Sequence, residues 1–177
     1  MLNCSHVVLL ASYNAWMNPK LYEAAAALPP DEITADRKAF FGSLLGTLNH
    51  IVVGDTIWLK RFATHSGNHA SLEPIRHSPA PLALDQVLFD NLPALWEQRQ
   101  KLDCTINTWA ASLTETDLEC SLSYKNMKGV SAKKRFSSLV LHFFNHQTHH
   151  RGQATTLLFQ AGVDVGITDL LMLIPDE

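Results

Sequence analysis

The chain has 177 residues, enough for about one domain, and 46% of them are hydrophobic, so a sizeable core can form. The net charge of −3, with histidine neutral, lacks the basic excess of a nucleic-acid-binding surface. No apolar run approaches the roughly 18 residues that span a membrane.

The opening MLNCSHVVLL has neither a basic leader nor a small-residue cleavage site after it, so no signal peptide is expected. Cys4, Cys104 and Cys120 are odd in number and none has CxxC spacing. They suit a reducing cytoplasm better than a disulfide framework or a thiolate cage.

Residues 5–28 read as a first helix, carried by Leu9, Leu10, Tyr13, Trp16 and Leu21 and stopped by Pro29-Pro30. Pro19 lies inside the pattern, as a kink or as the start of a new segment. Tyr13, Asn14, Trp16 and Asn18 mix polar and aromatic character on a buried helix, and bundle packing with satisfied hydrogen bonds accounts for them. Residues 31–37 are a polar connection in which Thr34 or Asp36 can cap the next helix.

That second helix is expected over 38–62 and is apolar almost all round, the mark of a central helix. Its main stripe is Phe40, Leu44, Ile51, Trp58 and Phe62. His50 sits on a second face with Thr47, Gly54 and Ile57. Periodicity alone leaves open whether His50 bonds a neighbour or joins a ligand set. Gly46 and Gly54 each cost a helix about 1 kcal/mol relative to alanine, which a close approach or a cavity would explain. Asp55 falls on the apolar stripe and needs a partner. Structural pairing with an arginine is favoured over orienting a histidine.

Residues 63–83 contain four breakers (Gly67, Pro74, Pro79 and Pro81) and three histidines, His65, His69 and His77, expected at the surface. Such a long connection is a lid or a crossover, and lets the third helix run parallel to the second. The third helix is expected over 84–113, with Asp85 in its first turn. A weak alternation around Lys128-Gly129 predicts a small β-hairpin. Lys125, Lys128, Lys133, Lys134 and Arg135 make it basic, as a solvated turn or as a contact for an anionic substrate.

Residues 136–161 read as the fourth long helix, with Gly162 as its stop. Leu139, Phe143, Ala154, Leu157 and Ala161 form its apolar stripe. At about 100° per residue, His150 lies inside the stripe and His146 at its edge, while His142 and His149 rotate toward the polar flank. An i/i+4 pair of this kind presents two imidazoles on one face, as a first-row metal ion requires, with a third ligand from another segment. An apolar tail, 170–174, is expected to pack back on the helices. The elements sum to an all-α chain of one domain, 1–177.

Two stretches carry a family resemblance: LLGTLNHIVVGDTIWLKRF (44–62) and HFFNHQTHHRGQ (142–153). Together with the Tyr13-Asn14-x-Trp16 start and the Gly162…Asp169-Leu170-Leu171 tail, they resemble the DinB/YfiT-like superfamily of metalloenzymes. The resemblance implies a four-helix bundle with long crossover loops, commonly a homodimer, and a metal site of His50, His146 and His150. Three neutral imidazoles leave a vertex for water or an exogenous thiol. The ligand set admits zinc, nickel or iron. Gln147 stands where a zinc protease of the H-E-x-x-H type has its glutamate, so that chemistry is disfavoured. The relatives imply a metal-dependent enzyme acting on a small molecule, such as a thiol S-transferase using a low-molecular-weight thiol. The alternative is a non-catalytic, DNA-damage-inducible stress-response protein that binds metal. His142, His149 and Asp55 are candidates to support the site from outside the ligand set.

Overall fold

The computed structural model describes residues 2–176. Four long helices dominate: α1 (Cys4–Ala26), α3 (Leu44–Phe62), α5 (Leu92–Ser112) and α7 (Phe136–Gln160). Three single-turn helices, α2 (Pro30–Thr34), α4 (Glu73–His77) and α6 (Glu115–Glu119), and one hairpin of β1 (Ser121–Lys125) and β2 (Ser131–Arg135) lie in the connections. The fold is the expected all-α four-helix bundle, and no helix of the described residues is long and apolar enough to cross a membrane.

Side-chain pairings give the helix directions. Asn49 meets Phe89, Asp55 meets Arg99 and Phe62 stacks on Trp109, so α3 and α5 run parallel. His50 meets His150 and Phe62 meets Phe136, so α3 and α7 are antiparallel. Cys4 meets Leu113 and Tyr22 meets Trp96, so α1 opposes α5. The parallel pair demands the long crossover between them, as expected. The core is apolar, with Trp109, Phe62, Phe136, Phe143 and Met17 among its largest wholly buried side chains.

α1 starts at an Asn3 cap whose side chain accepts from the His6 amide at 2.9 Å, and it runs unbroken through Pro19. Asn14 and Asn18 lie buried on its inner face, each donating to Asp103, as expected of bundle packing. α7 starts at Phe136 as expected and ends in a Schellman motif. Gly162 takes φ +82°, its amide donates to Phe159 and the Val163 amide donates to Leu158, which satisfies the last carbonyls.

Several boundaries differ from expectation. The second helix starts at Leu44, not at 38. Asp36 accepts from the Lys38 amide, Lys38 and Gly42 take positive φ, and Ser43 caps α3 at the Gly46 amide. This turn chemistry overrides the apolar pattern and leaves Phe40 86% exposed. The preceding polar connection contains α2, opened by Pro30 at its first turn. The third helix starts at Leu92, with Asn91 accepting from the Ala94 amide at 2.9 Å, so Asp85 lies in the crossover and not in a first helical turn. His65 and His69 are buried, against the expectation of surface histidines, whereas His77 is exposed. The hairpin forms where expected, its loop closed by Asn126, whose side chain accepts from the Lys128 and Val130 amides. The apolar tail is only partly packed: Leu170 and Leu173 are half-buried but Leu171 and Met172 are exposed.

A polar network crosses the core and touches all four long helices. Arg99 of α5 donates to Asp55 of α3 at 2.5 Å, and its Nη2 pairs by charge with Asp103 of its own helix at 3.0 Å. Asn14 and Asn18 of α1 donate to Asp103 at 2.8 and 2.9 Å, and Arg151 of α7 donates to Asn14. Burial pushes the Asp55 and Asp103 carboxyls up, and the Arg99 guanidinium opposes that shift in both. Replacing Arg99 by Met should destabilise the protein by about 3–5 kcal/mol in chemical denaturation, because two carboxylates lose their shared counter-charge. A loss below about 1 kcal/mol would show that the network does not hold the bundle.

Candidate metal centre

α3 and α7 pack antiparallel, and one turn of each turns its histidines toward the other. His50 Nε2 lies 3.2 Å from His146 Nε2 and 3.1 Å from His150 Nε2. The three residues present one ligand atom each within 4.8 Å of one another. Three donors about 2.0–2.1 Å from a tetrahedral ion stand roughly 3.3 Å apart, so the two separations from His50 are compatible with a shared ion.

The outer nitrogens decide which atoms are free to bind. His50 Nδ1 lies 2.7 Å from the Leu84 carbonyl, which can only accept, so Nδ1 carries the proton and Nε2 presents its lone pair. His150 Nδ1 lies 2.8 Å from Gln153 Oε1, with the same consequence. Two lone pairs therefore face each other across 3.1 Å, an arrangement that a cation between them would relieve. Burial pushes the pKa of His50 and His150 down, and His146 is pushed down to about 3 by burial and then by its neighbouring imidazoles. The lowered pKa values favour the neutral imidazoles that a metal ion requires, and the group could hold one.

Local structure explains each placement. A Cβ on Gly54 would stand 2.6 Å from His146 Cε1, so only glycine lets that ring lie on α3. A Cβ on Gly46 would stand 2.2 Å from the Phe41 carbonyl, so Gly46 lets the 36–43 loop fold down. The result is that Phe41 stacks on His50 with ring centroids 3.8 Å apart and meets His150 edge-on. Of the two readings of their helix cost, a close approach or a cavity, both glycines answer a close approach, Gly46 to a loop and Gly54 to α7.

The crossover adds a second device. Asn49 accepts from the Leu88 and Phe89 amides at 2.9 and 3.0 Å and donates to the Phe89 carbonyl. Were 84–91 helical, the Leu88 amide would take the Leu84 carbonyl. Asn49 takes that amide instead, and the carbonyl is left for His50. Phe41, Leu84 and Asn49 carry no recognisable site signal in the sequence. Gln153 stood beside the histidines, and its i+3 spacing from His150 was the one readable sign.

The other candidates fall outside the cluster. His149 is exposed and its ring lies 4.8 Å from that of His150. His142 is exposed, 6.0 Å from His146 by ring centroid and edge-on to Trp58. Asp55 pairs with Arg99, the structural reading of that residue. A cavity of about 440 Å³ adjoins His146, walled by Ile57, Trp58 and Leu84 and by Arg61, Lys128 and His142.

The fold and the site together define a four-helix bundle with a three-histidine cluster between its second and fourth long helices. The chain belongs to the DinB family, whose model matches residues 1–176. It is similar to Protein DinB of Bacillus subtilis (strain 168), with 25% identity over 162 residues, 90% of this chain and 88% of that protein. No solved structure matches it.

Gly54→Ala tests the packing of the site. Alanine favours the helix, so the melting temperature of the metal-free protein should hold or rise. Zinc affinity measured by calorimetric titration should fall roughly 10–100-fold, the range for losing a ligand's support. Asn49→Ala should weaken zinc binding in the same assay by releasing the Leu84 carbonyl; unchanged affinity would remove the crossover from the account.

Proposed function

We propose that the protein is a metal-dependent enzyme in which His50, His146 and His150 hold a divalent ion beside a small-molecule cavity, and that it transfers a low-molecular-weight thiol to an anionic acceptor. The observation that carries the reading is the convergence of three Nε2 atoms next to a cavity, with all three imidazoles neutral. Zinc, nickel or iron fits the nitrogen set. When bound, such an ion supplies Lewis acidity that lowers the pKa of a thiol or water at its remaining vertex.

The chain's own residues do the rest. His50 and His150 are held as Nε2 donors by the Leu84 carbonyl and by Gln153. Ile57, Trp58, Leu84 and Met127 offer the cavity an apolar wall that displaces water from a substrate body. Arg61 and Lys128 in the same wall, with no acid beside them in the lining, favour an anionic group. Arg61 is steadied over the rings of Trp58 and Tyr124, at 4.5 and 5.0 Å. His142 offers an imidazole at the cavity wall for the proton released from the thiol. In the transfer, the sulfur–carbon bond forms as the carbon's bond to its leaving group breaks, and the proton departs with that group.

A homodimer in a reducing cytoplasm belongs to the same reading. The three cysteines are free, and Ile167, Leu171, Met172 and Ile174 leave apolar surface on the tail.

The test uses untagged protein. Metal content by mass spectrometry should be stoichiometric in the wild type and lost in His146→Ala, together with thiol conjugation. Lys128→Gln should raise KM for anionic acceptors several-fold and leave neutral acceptors unaffected. A folded wild type that takes up no metal overturns the proposal. Metal uptake that raises thermal stability with no turnover of any thiol acceptor overturns the catalytic part and leaves a metal-stapled bundle.

A further inference from the structure

Beyond the C-terminal end of α3, a second group of donors gathers from segments far apart in the chain. His65 and His69 come from the start of the crossover and Asp117 from α6. Their candidate ligand atoms lie within 4.8 Å of one another. His65 is 4% and His69 7% exposed, and the Nε2 atom of each is buried with no hydrogen-bond partner. Asp117 Oδ2 is occupied by the Thr114 amide and hydroxyl, at 2.9 and 2.7 Å. Its other oxygen, Oδ1, faces His65 Nδ1 at 3.8 Å, too long for a hydrogen bond.

Gly67 marks the gap among these groups. A Cβ there would stand 2.6 Å from Asp117 Oδ1 and 3.0 Å from His69 Nε2. The absent side chain thus leaves a space flanked by an anionic oxygen and an unpartnered imidazole nitrogen. The rings on either side are held in place: His65 stacks on Phe136 at 4.3 Å and lies nearly parallel to His69 at 5.6 Å. The Gly67 amide donates to His65 Nδ1 at 3.1 Å, so the lone pair of this ring lies on Nδ1, the nitrogen facing Asp117, and an ion bound there replaces that hydrogen bond.

We propose that His65, His69 and Asp117 form a second site, for a divalent transition-metal ion of the zinc class, that clips the start of the crossover to α6. Two imidazoles and one carboxylate are a standard donor set for such an ion, with water completing four-coordination. The carboxylate offsets one of the ion's two charges, so this site retains less Lewis acidity than a three-histidine site, and the ion would join two segments far apart in the chain. It shares no residue with the cluster of His50, His146 and His150 and does not depend on it.

The experiment is zinc and cobalt uptake by the untagged full chain after chelator stripping, read by equilibrium dialysis with metal analysis. The wild type should take up two equivalents. His69→Gln and Asp117→Asn should each take up one, and Gly67→Ala should bind that equivalent at least tenfold more weakly with every ligand retained. His150→Gln should lose the other equivalent and keep this one. Far-ultraviolet circular dichroism of the metal-free forms checks folding, and Gly67→Ala carries the test where a ligand variant does not fold. Equal uptake by wild type, His69→Gln and Gly67→Ala overturns the second site. Unchanged uptake in His150→Gln, with one equivalent lost in His69→Gln, sinks the three-histidine reading and leaves this one standing.

Discussion

Two guanidiniums and two carboxylates buried in the centre of the bundle set the register on which everything else depends. Arg99 joins Asp55 to Asp103, and Asn14 joins Asp103 to Arg151, so α1, α3, α5 and α7 are each held at one point along their length. Buried ion pairs add little net stability relative to apolar residues of the same volume. Their effect is on the alternatives. A helix that slides by one turn strands a charge in the core, and that costs several kcal/mol, whereas a slide between apolar faces costs far less. Asp55 is next to Gly54 in α3, and Arg151 is next to His150 in α7, so the network holds the two helix turns that carry the histidines.

The histidine cluster is then completed by irregular backbone. The 36–43 loop brings Phe41 onto His50, and the 84–91 segment brings the Leu84 carbonyl to its Nδ1. Both stretches look helical by pattern and are kept from it by short polar side chains: Asp36 and Ser43 in one, Asn49 and Asn91 in the other. A regular helix has no free carbonyl to give away in its interior. Breaking the helix early is what makes one available. The orientation of a ligand thus rests on a loop that is itself pinned by a side chain of the ligand's own helix.

The first and fourth long helices were legible because their apolar spacing and their stops, Pro29-Pro30 and Gly162, are local signals. The hairpin was legible for the same reason. The starts of α3 and α5 were not, since an apolar run such as Ala39-Phe40-Phe41 satisfies a helical template until turn residues on either side are weighed against it. His146 and His150 could be paired from spacing within one helix. The place of His50 came from family resemblance, because the face a histidine shares with a distant helix is not encoded in its own periodicity. His65, His69 and Asp117 are separated by most of the crossover, α5 and a connection, and nothing local announces that they meet.

By itself the sequence determined the all-α class, the helical phase of His146 and His150, the need of Asp55 for a partner and the close approach or cavity that Gly54 calls for. These follow from short-range geometry, in which 3.6 residues per turn and the cost of glycine or a buried charge apply to one segment at a time. Only the tertiary structure decided that Arg99 is that partner, that the His146 ring fills the space over Gly54, and that His50 Nε2 is the nitrogen left free. Those outcomes depend on contacts between residues tens of positions apart, and such contacts exist only once all four helices have packed.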